Sequence, residues 1–437
     1  MNFLRKYWQR GDAMVRAGQI AQGLRQVVLI GIALLLPWLG ISRNHIGQWE
    51  QMQYIGYLLG FAWLTGLGQA YLAGIRSLPE EAAQALTNRL LRISLGITVV
   101  LGVLCLLLER PLLQLLQNEA DLPGWRYYLF FLMAHWPGLL YEQVLMAQKK
   151  AKRLIIFSLA SNGALAFGIL GPLLFGVSWA DTLLFLLVIA TLKFLLLLSP
   201  TSWQLRKKGE HHYPLLKKSG ALIGYAAIGA LVVSFDPWFV NFWYAGDASL
   251  FALYRYGTRE LPLIVAITNG IGMATLPMLG ENISNGLAQL KRSSLRLMHL
   301  FFPLTLLLLL TSHWWWTALF TSAFADSLPL FQIFVFVGIS RMIFPIVILT
   351  AKDYGHILLI LGAIELVLNA GLSWWLVQDY GLAGIVWATV LAYTVDKLLA
   401  AVWLYFKEGI PLQAYCHWPW LLGYTGLLLS VYRWLTF

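Results

Sequence analysis

The feature that most constrains this chain is the recurrence, along its whole length, of uninterrupted apolar runs long enough to cross a hydrocarbon layer of ~30 Å as helices. Hydrophobic residues fill 59% of the 437 positions and charged ones 12%, and the mean hydropathy is +0.69. Soluble globular chains do not have this composition. No stretch is left over for a separate water-soluble core, so the expectation is one integral, all-α, polytopic membrane domain.

Thirteen candidate spans can be placed: Ala13 to Leu39, Gln51 to Ile75, Leu90 to Leu108, Trp125 to Leu145, Leu154 to Phe175, Trp179 to Leu198, Gly220 to Trp243, Leu250 to Met278, Leu297 to Trp316, Leu328 to Thr350, His356 to Val377, Gly381 to Phe406 and Trp418 to Leu435. Trp and Tyr gather at their ends, as at Trp125, Tyr127 and Tyr128 and at Trp314, Trp315 and Trp316, where amphipathic rings favour the interface.

The formal charge of +11 would suggest nucleic acid in a soluble protein, but the basic residues lie mostly in alternate short connections. Those connections carry Arg76, Arg89 and Arg92, then Lys149 to Arg153, then Arg206 to Lys218, then Lys291, Arg292 and Arg296, then Lys352 and Lys407. The bias is a topology signal and places the N-terminus in the cytoplasm, with no nucleic-acid partner implied. Arg5, Lys6 and Arg10 resemble a signal-peptide n-region, yet no small-residue cleavage site follows, so the first span is expected to be retained.

The basic connection from Trp203 to Ser219 divides the first twelve spans into two groups of six. The expected organisation is an N-terminal lobe over residues 1–203, a cytoplasmic linker over 204–219, a C-terminal lobe over 220–410 and an extra span in 411–437. A short repeat supports the division: Gly66-Leu-Gly-Gln-Ala-Tyr-Leu72 in the second span matches Gly270-Ile-Gly-Met-Ala-Thr-Leu276 in the eighth. Six spans restore the same orientation, so the halves would be related by an axis along the membrane normal.

A charged side chain at membrane depth costs at least ~2.5 kcal/mol on insertion scales, so each needs a partner or a wet cavity. Asp12, Arg16, Gln19, Gln22, Arg25 and Gln26 form a polar stripe on the first span, which cannot face lipid. The inner part of the stripe lies in the headgroup zone or a water-filled cavity; Arg25, close to mid-span, points to the cavity. In spans seven and eight stand Asp236-Pro237 and Arg255, Arg259 and Glu260. Arg255 and Arg259 are expected one turn apart, sharing a face of the eighth span. Arginine stays charged at any working pH and its fork holds phosphate in a bidentate way. Arg25, Arg255 and Arg259 are therefore the candidate cationic binding residues. Gln19, Gln22, Gln26 and Glu260 are candidate polar contacts.

Asp236 has two readings, an ion pair with Arg255 or a carboxylate that exchanges a proton during transport. Arg341 and Glu365, Asp396 and Lys397, and Lys193 and Glu142 read as structural charges at matched depths. Pro137, Pro172, Pro237, Pro262, Pro277, Pro303 and Pro345 are candidate kinks. Cys105 and Cys416 give neither a disulfide frame nor a metal site, and His211 and His212 form a lone pair in the basic connection. No Walker-type motif is present, and the outer loops are too short for a catalytic domain. The expectation is a transporter without cofactor or metal rather than an enzyme.

Three segments resemble one family. Ile46-Gly47-Gln48-Trp49, followed by the Gly66-Leu-Gly-Gln-Ala motif, looks like the start of the second span in polysaccharide-transporter flippases. The run from Ser234 to Glu281 resembles their span-seven Asp, short outer turn, aromatic-rich span eight and buried prolines, and Gly381 to Thr389 is similar to their span-twelve opening. This family is the oligosaccharidyl-lipid branch of an exporter superfamily that also holds multidrug extrusion proteins and lipid II flippases. The resemblance implies two pseudo-symmetric six-helix lobes around a central cavity, and alternating access that moves a polyprenyl-(pyro)phosphate-linked oligosaccharide from the cytoplasmic to the periplasmic leaflet of a bacterial inner membrane. It implies surface polysaccharide biosynthesis, such as O-antigen or capsule, as the setting, membrane lipid as surroundings, and leaves room for a polysaccharide polymerase as partner. Arg25, Arg255 and Arg259 match the family's cavity arginines and Asp236 its acidic position. The thirteenth span departs from the usual twelve or fourteen. A cation-coupled multidrug exporter of the same fold is the nearest rival, disfavoured by arginines that repel cationic drugs; a membrane glycan polymerase or ligase is the rival of a different class.

Overall fold

A computed structural model describes residues 13–75, 78–198, 215–259 and 262–436 of the chain. Residues 199 to 214, with most of the basic connection and His211 and His212, lie outside them, as do Arg5, Lys6, Arg10, Asp12, Arg76 and Glu260. Among the described residues helix is the only regular structure, and nine helical segments are long and apolar enough to cross a membrane. Internal contacts divide the chain into two compact units, Met1–Ser234 with Asn241–Ser249 and Phe235–Val240 with Leu250–Phe437.

The first unit contains α1 (Ala13–Trp38), α2 (Arg43–Ile75), α3 (Glu80–Leu107), α4 (Glu109–Gln117), α5 (Trp125–Ala147), α6 (Ala151–Leu174), α7 (Trp179–Leu197) and most of α8 (Leu215–Trp243). Local chemistry sets the helix ends. Ser178 caps α7, accepting from the Asp181 amide at 3.2 Å, which satisfies one free donor at the helix start, and donating to the Asp181 carboxylate at 2.6 Å. Between α5 and α6 the chain reverses at Lys149, with φ 55°, and the Lys149 and Lys150 amides return to the Met146 and Leu145 carbonyls. So tight a turn makes α5 and α6 antiparallel neighbours. Trp136 of α5 and Trp63 of α2 meet edge to face at 5.8 Å, an arrangement worth roughly 0.5–1.5 kcal/mol beyond the area it buries.

In the second unit lie α9 (Ala248–Gly257), of which Leu250 onward belongs to it, α10 (Pro262–Glu281), α11 (Ile283–Leu310) and α12 (Ser312–Phe320). A 3-10 turn (Ser322–Ser327) leads into α13 (Leu328–Phe334), α14 (Val337–Ser340), α15 (Pro345–Ala351), the long α16 (Gly355–Glu408) and α17 (Trp418–Thr436). Trp316 is buried with its indole N–H donated to the Phe324 carbonyl at 3.0 Å, and Tyr256 stacks on Phe324 at 4.0 Å. A helix, α17, forms where the thirteenth span is expected but is not one of the nine long and apolar enough to cross a membrane, and its Tyr424 stacks on Phe302 of α11 at 4.7 Å. Outward faces are apolar: Phe175, Phe406 and Leu107 are 86%, 80% and 74% exposed, which suits lipid and not water.

The sequence divides the chain into thirteen spans, and four of them differ in form. The eighth is not one helix: α9 ends at Gly257, α10 begins at Pro262, and Thr258 and Arg259 lie in the break. A proline has no amide to donate and fits the first turn of a helix better than its middle, so Pro262 starts a new helix. The tenth span is likewise broken, between α13 and α14 and again at Arg341 to Phe344, where the Ser294 hydroxyl donates to the Met342 carbonyl at 2.7 Å. A hydroxyl from a neighbouring helix thus satisfies a carbonyl that lies outside a helix. Spans eleven and twelve run on as α16, but the chain doubles back at Gly381, with φ 55° and ψ −137°. The reversal is read from Gly384, where a Cβ would lie 2.3 Å from the Leu376 carbonyl oxygen, contact that a straight helix would not allow across eight residues.

Candidate functional site

In the first unit the polar stripe of α1 separates into two surfaces. Gln19, Gln22 and Gln26 are exposed, while Ala17 and Ala21 are buried on the other side, and the Ser158 hydroxyl of α6 donates to the Ala21 carbonyl at 3.3 Å. Arg25, between the two, donates to Glu142 of α5 at 2.6 Å and keeps a side chain 37% exposed. Glu142 therefore does not stand with Lys193 alone, as its depth suggests in the sequence. The Lys193 ammonium lies 2.9 Å from His135 Nδ1 and donates to Ser161 at 3.1 Å. His135 and Glu142 are seven residues apart and share a face of α5, so one helix presents partners to both cations.

Asp236, in the second unit, is 9% exposed and both of its oxygens take neutral donors. Asn369 donates to Oδ1 at 2.6 Å, and the Thr389 hydroxyl lies 2.7 Å from Oδ2. That hydroxyl is also 3.0 Å from the Ile385 carbonyl. A hydroxyl has one proton for these two acceptors, so Asp236 and the Ile385 carbonyl share or compete for it. Asn369 is in turn 3.4 Å from the Ser373 hydroxyl, one turn further along α16. The reversal at Gly381 is what brings Asn369 and Thr389 to the same carboxylate.

Arg255 and Arg259 are not one turn apart on a continuous helix. Arg255 is in the last turn of α9 and half-buried; Arg259 follows the helix end, over the Tyr256 ring at 5.2 Å from its centroid. Backbone out of helical form at the middle of a span is tolerated where protein or a wet cavity surrounds it, and such breaks mark binding sites in transporters. Arg341 stands in the break of the tenth span and lines the same small cavity as Arg259. Asp396 and Lys397 meet each other at 2.5 Å.

Sequence reasoning missed Asn369, Ser373 and Thr389 as partners of Asp236, and Ser161 and His135 as partners of Lys193. A signal was present, since Asn369 and Ser373 are polar residues one turn apart inside an apolar run. Nothing in the sequence indicates which helix they face.

No family model and no curated protein matches the sequence. Solved structures do. A lipid II flippase, MurJ, in an inward closed conformation superposes with a TM-score of 0.72 at 14% identity, covering 96% of this chain and 92% of that one. An inward-facing multidrug resistance transporter of the MATE family, within the MOP superfamily, gives 0.68 at 16% identity over 89% and 98%. A Vibrio cholerae MATE transporter, VcmN, gives 0.57 at 16% identity over 91% and 98%. The chain is thus a multi-pass membrane protein with the fold of MOP-superfamily transporters. Within that fold its similar structures include both a lipid II flippase and MATE transporters, one of them a multidrug resistance transporter.

Proposed function

We propose that this protein is a flippase that moves a polyprenyl-(pyro)phosphate-linked oligosaccharide from the cytoplasmic to the periplasmic leaflet of a bacterial inner membrane by alternating access, for surface polysaccharide biosynthesis. One observation supports the reading: Arg259, a charge fixed at any pH, stands in the break between α9 and α10. A cation kept in such a break suits an anionic headgroup and opposes a cationic drug. Arg25 and Arg255 are the other proposed phosphate contacts. Gln19, Gln22 and Gln26, exposed on α1, are proposed contacts for sugar hydroxyls, and Glu260 is kept as a further polar contact. In the resting protein Glu142 holds the place on Arg25 that a phosphate takes over.

Asp236 is the proposed coupling residue. It is a buried carboxyl whose Oδ2 shares the Thr389 hydroxyl with the Ile385 carbonyl, so gain or loss of a proton there would change which acceptor the hydroxyl serves and alter the contact between α8 and α16.

The test is flipping of a fluorescent polyprenyl-pyrophosphate glycan in vesicles containing the purified protein, read as the fraction accessible to an added lectin. Arg259→Ala is expected to slow flipping at least tenfold, with Arg259→Lys retaining part of the rate. Full activity of Arg259→Ala, or efflux of a cationic dye by the unmodified protein with no glycan movement, overturns the reading in favour of drug export. Under an imposed pH gradient Asp236→Asn should lose the acceleration that the unmodified protein shows. A response to a sodium gradient alone would remove the proton from the scheme.

A further inference from the structure

Two cations of the first unit are partnered unequally, and one face of α5 lies between them. His135, Gly138 and Glu142 follow one another along that face. At one end Arg25 of α1 donates to the Glu142 carboxylate at 2.6 Å. At the other, Lys193 of α7 has its Nζ 2.9 Å from His135 Nδ1 and 3.1 Å from the Ser161 hydroxyl of α6. An ammonium only donates, so His135 accepts at Nδ1, keeps its own proton on Nε2 and is neutral. Lys193 is thus held by two uncharged acceptors, while the charges within its electrostatic reach are those of Glu142 and Arg25.

The lane from Lys193 to Glu142 is open. A Cβ added at Gly138 would lie 3.6 Å from Lys193 Nζ, so the ammonium rests over a residue that has no side chain. Glu142 is one turn beyond Gly138, a rise of about 6 Å, and the Cα–Cβ bonds of a helix tilt toward its N-terminus, so Glu142 leans back toward that lane. The pair on the far side is also unequally covered: the Arg25 side chain is 37% exposed and that of Glu142 only 12%. An anion can therefore reach the guanidinium, whereas the carboxylate it displaces has little water to turn to. A covered carboxylate stripped of its cation is strongly disfavoured. Lys193, on the same face of α5, is a cation with no carboxylate at ion-pair distance among the described residues.

We propose that Lys193 is the alternate counter-ion of Glu142. When an anionic headgroup takes Arg25, the Glu142 carboxylate turns back along α5 and the Lys193 ammonium leaves His135 to meet it. No proton is transferred: the ion pair inside the unit passes from Arg25 to Lys193, and Arg25 pairs with the ligand. The inference rests on the reading of Arg25 as a phosphate contact and deepens it. Lys193 becomes a positioning residue that sets headgroup affinity without touching the headgroup, and His135 and Ser161 hold it in place until it is needed.

The test is a double-mutant cycle on the purified full chain in detergent, with inorganic pyrophosphate titrated in a calorimeter. Lys193→Gln should weaken binding several-fold, because the displaced Glu142 then has no cation to receive it. In a Glu142→Gln background, where no carboxylate is displaced, the same substitution should change the affinity less than twofold. An equal loss in both backgrounds would mean that Lys193 touches the anion itself, and overturns the proposal; no loss in either does so as well. A second readout keeps the inference open to refutation even where Lys193→Gln does not fold. In the unmodified protein carrying nitrogen-labelled histidine, the His135 resonances, identified by their loss in His135→Gln, should shift when pyrophosphate is added, since Nδ1 loses its donor. Resonances that stay in place while pyrophosphate binds overturn the exchange. Failure of the unmodified protein to bind pyrophosphate at all would instead remove the phosphate reading of Arg25, and the exchange with it.

Discussion

At the scale of single residues, the positions of Arg25 and Glu142 lead to an expectation about affinity. A carboxylate 2.6 Å from the guanidinium competes with any incoming phosphate for the same donors. Removing its charge should favour the ligand by roughly 1.5 kcal/mol, the lower end for hydrogen bonds to charged groups, and so by about tenfold. Glu142→Gln is therefore expected to bind pyrophosphate about tenfold more tightly in calorimetry, and to release it more slowly. Weaker binding would mean that Glu142 positions Arg25 and does not compete for it. Asp236 belongs to the same scale. Thr389→Val removes the hydroxyl that Asp236 shares with Ile385, and should alter the pH dependence of flipping while leaving headgroup binding intact.

Elements add constraints of their own. Gly66 of α2 meets Ile223 of α8 so closely that a Cβ would lie 2.6 Å from the Ile223 amide nitrogen, whereas a Cβ at Gly270 would meet nothing within 4 Å among the described residues. The two copies of the sequence repeat therefore have different surroundings. Gly66→Val is expected to lower the unfolding midpoint clearly and Gly270→Ala to leave it within a degree or two of the original, measured in detergent. The reverse order would show that the crossing of α2 and α8 is not as close as described. At Gly381 the backbone has φ 55° and ψ −137°, a region that side chains disfavour by roughly 1–3 kcal/mol. Gly381→Val should destabilise the second unit by about that amount. It should also weaken the coupling at Asp236, because the reversal sets Asn369 against Thr389.

For the whole molecule, orientation is the quantity that experiment can decide at once. The excess of Lys and Arg in alternate connections predicts that a cysteine replacing Lys208 reacts with an impermeant reagent only from the cytoplasmic side. Labelling from outside in intact cells would invert the topology and with it the direction proposed for transport. The sequence by itself determined that the chain is a helical membrane protein, because apolar runs of spanning length leave the backbone no other way to satisfy its hydrogen bonds in lipid. It also located Arg25, Arg259 and Asp236, since a charge inside an apolar run stands out whatever the fold. Only the tertiary structure decided their partners. Glu142 is 117 residues from Arg25, and Asn369 and Thr389 are 133 and 153 residues from Asp236, so no local pattern relates them. The breaks of the eighth and tenth spans are of the same kind: Pro262 and Pro345 signal a disturbance, but the neighbours that satisfy the freed backbone decide whether a helix bends or stops.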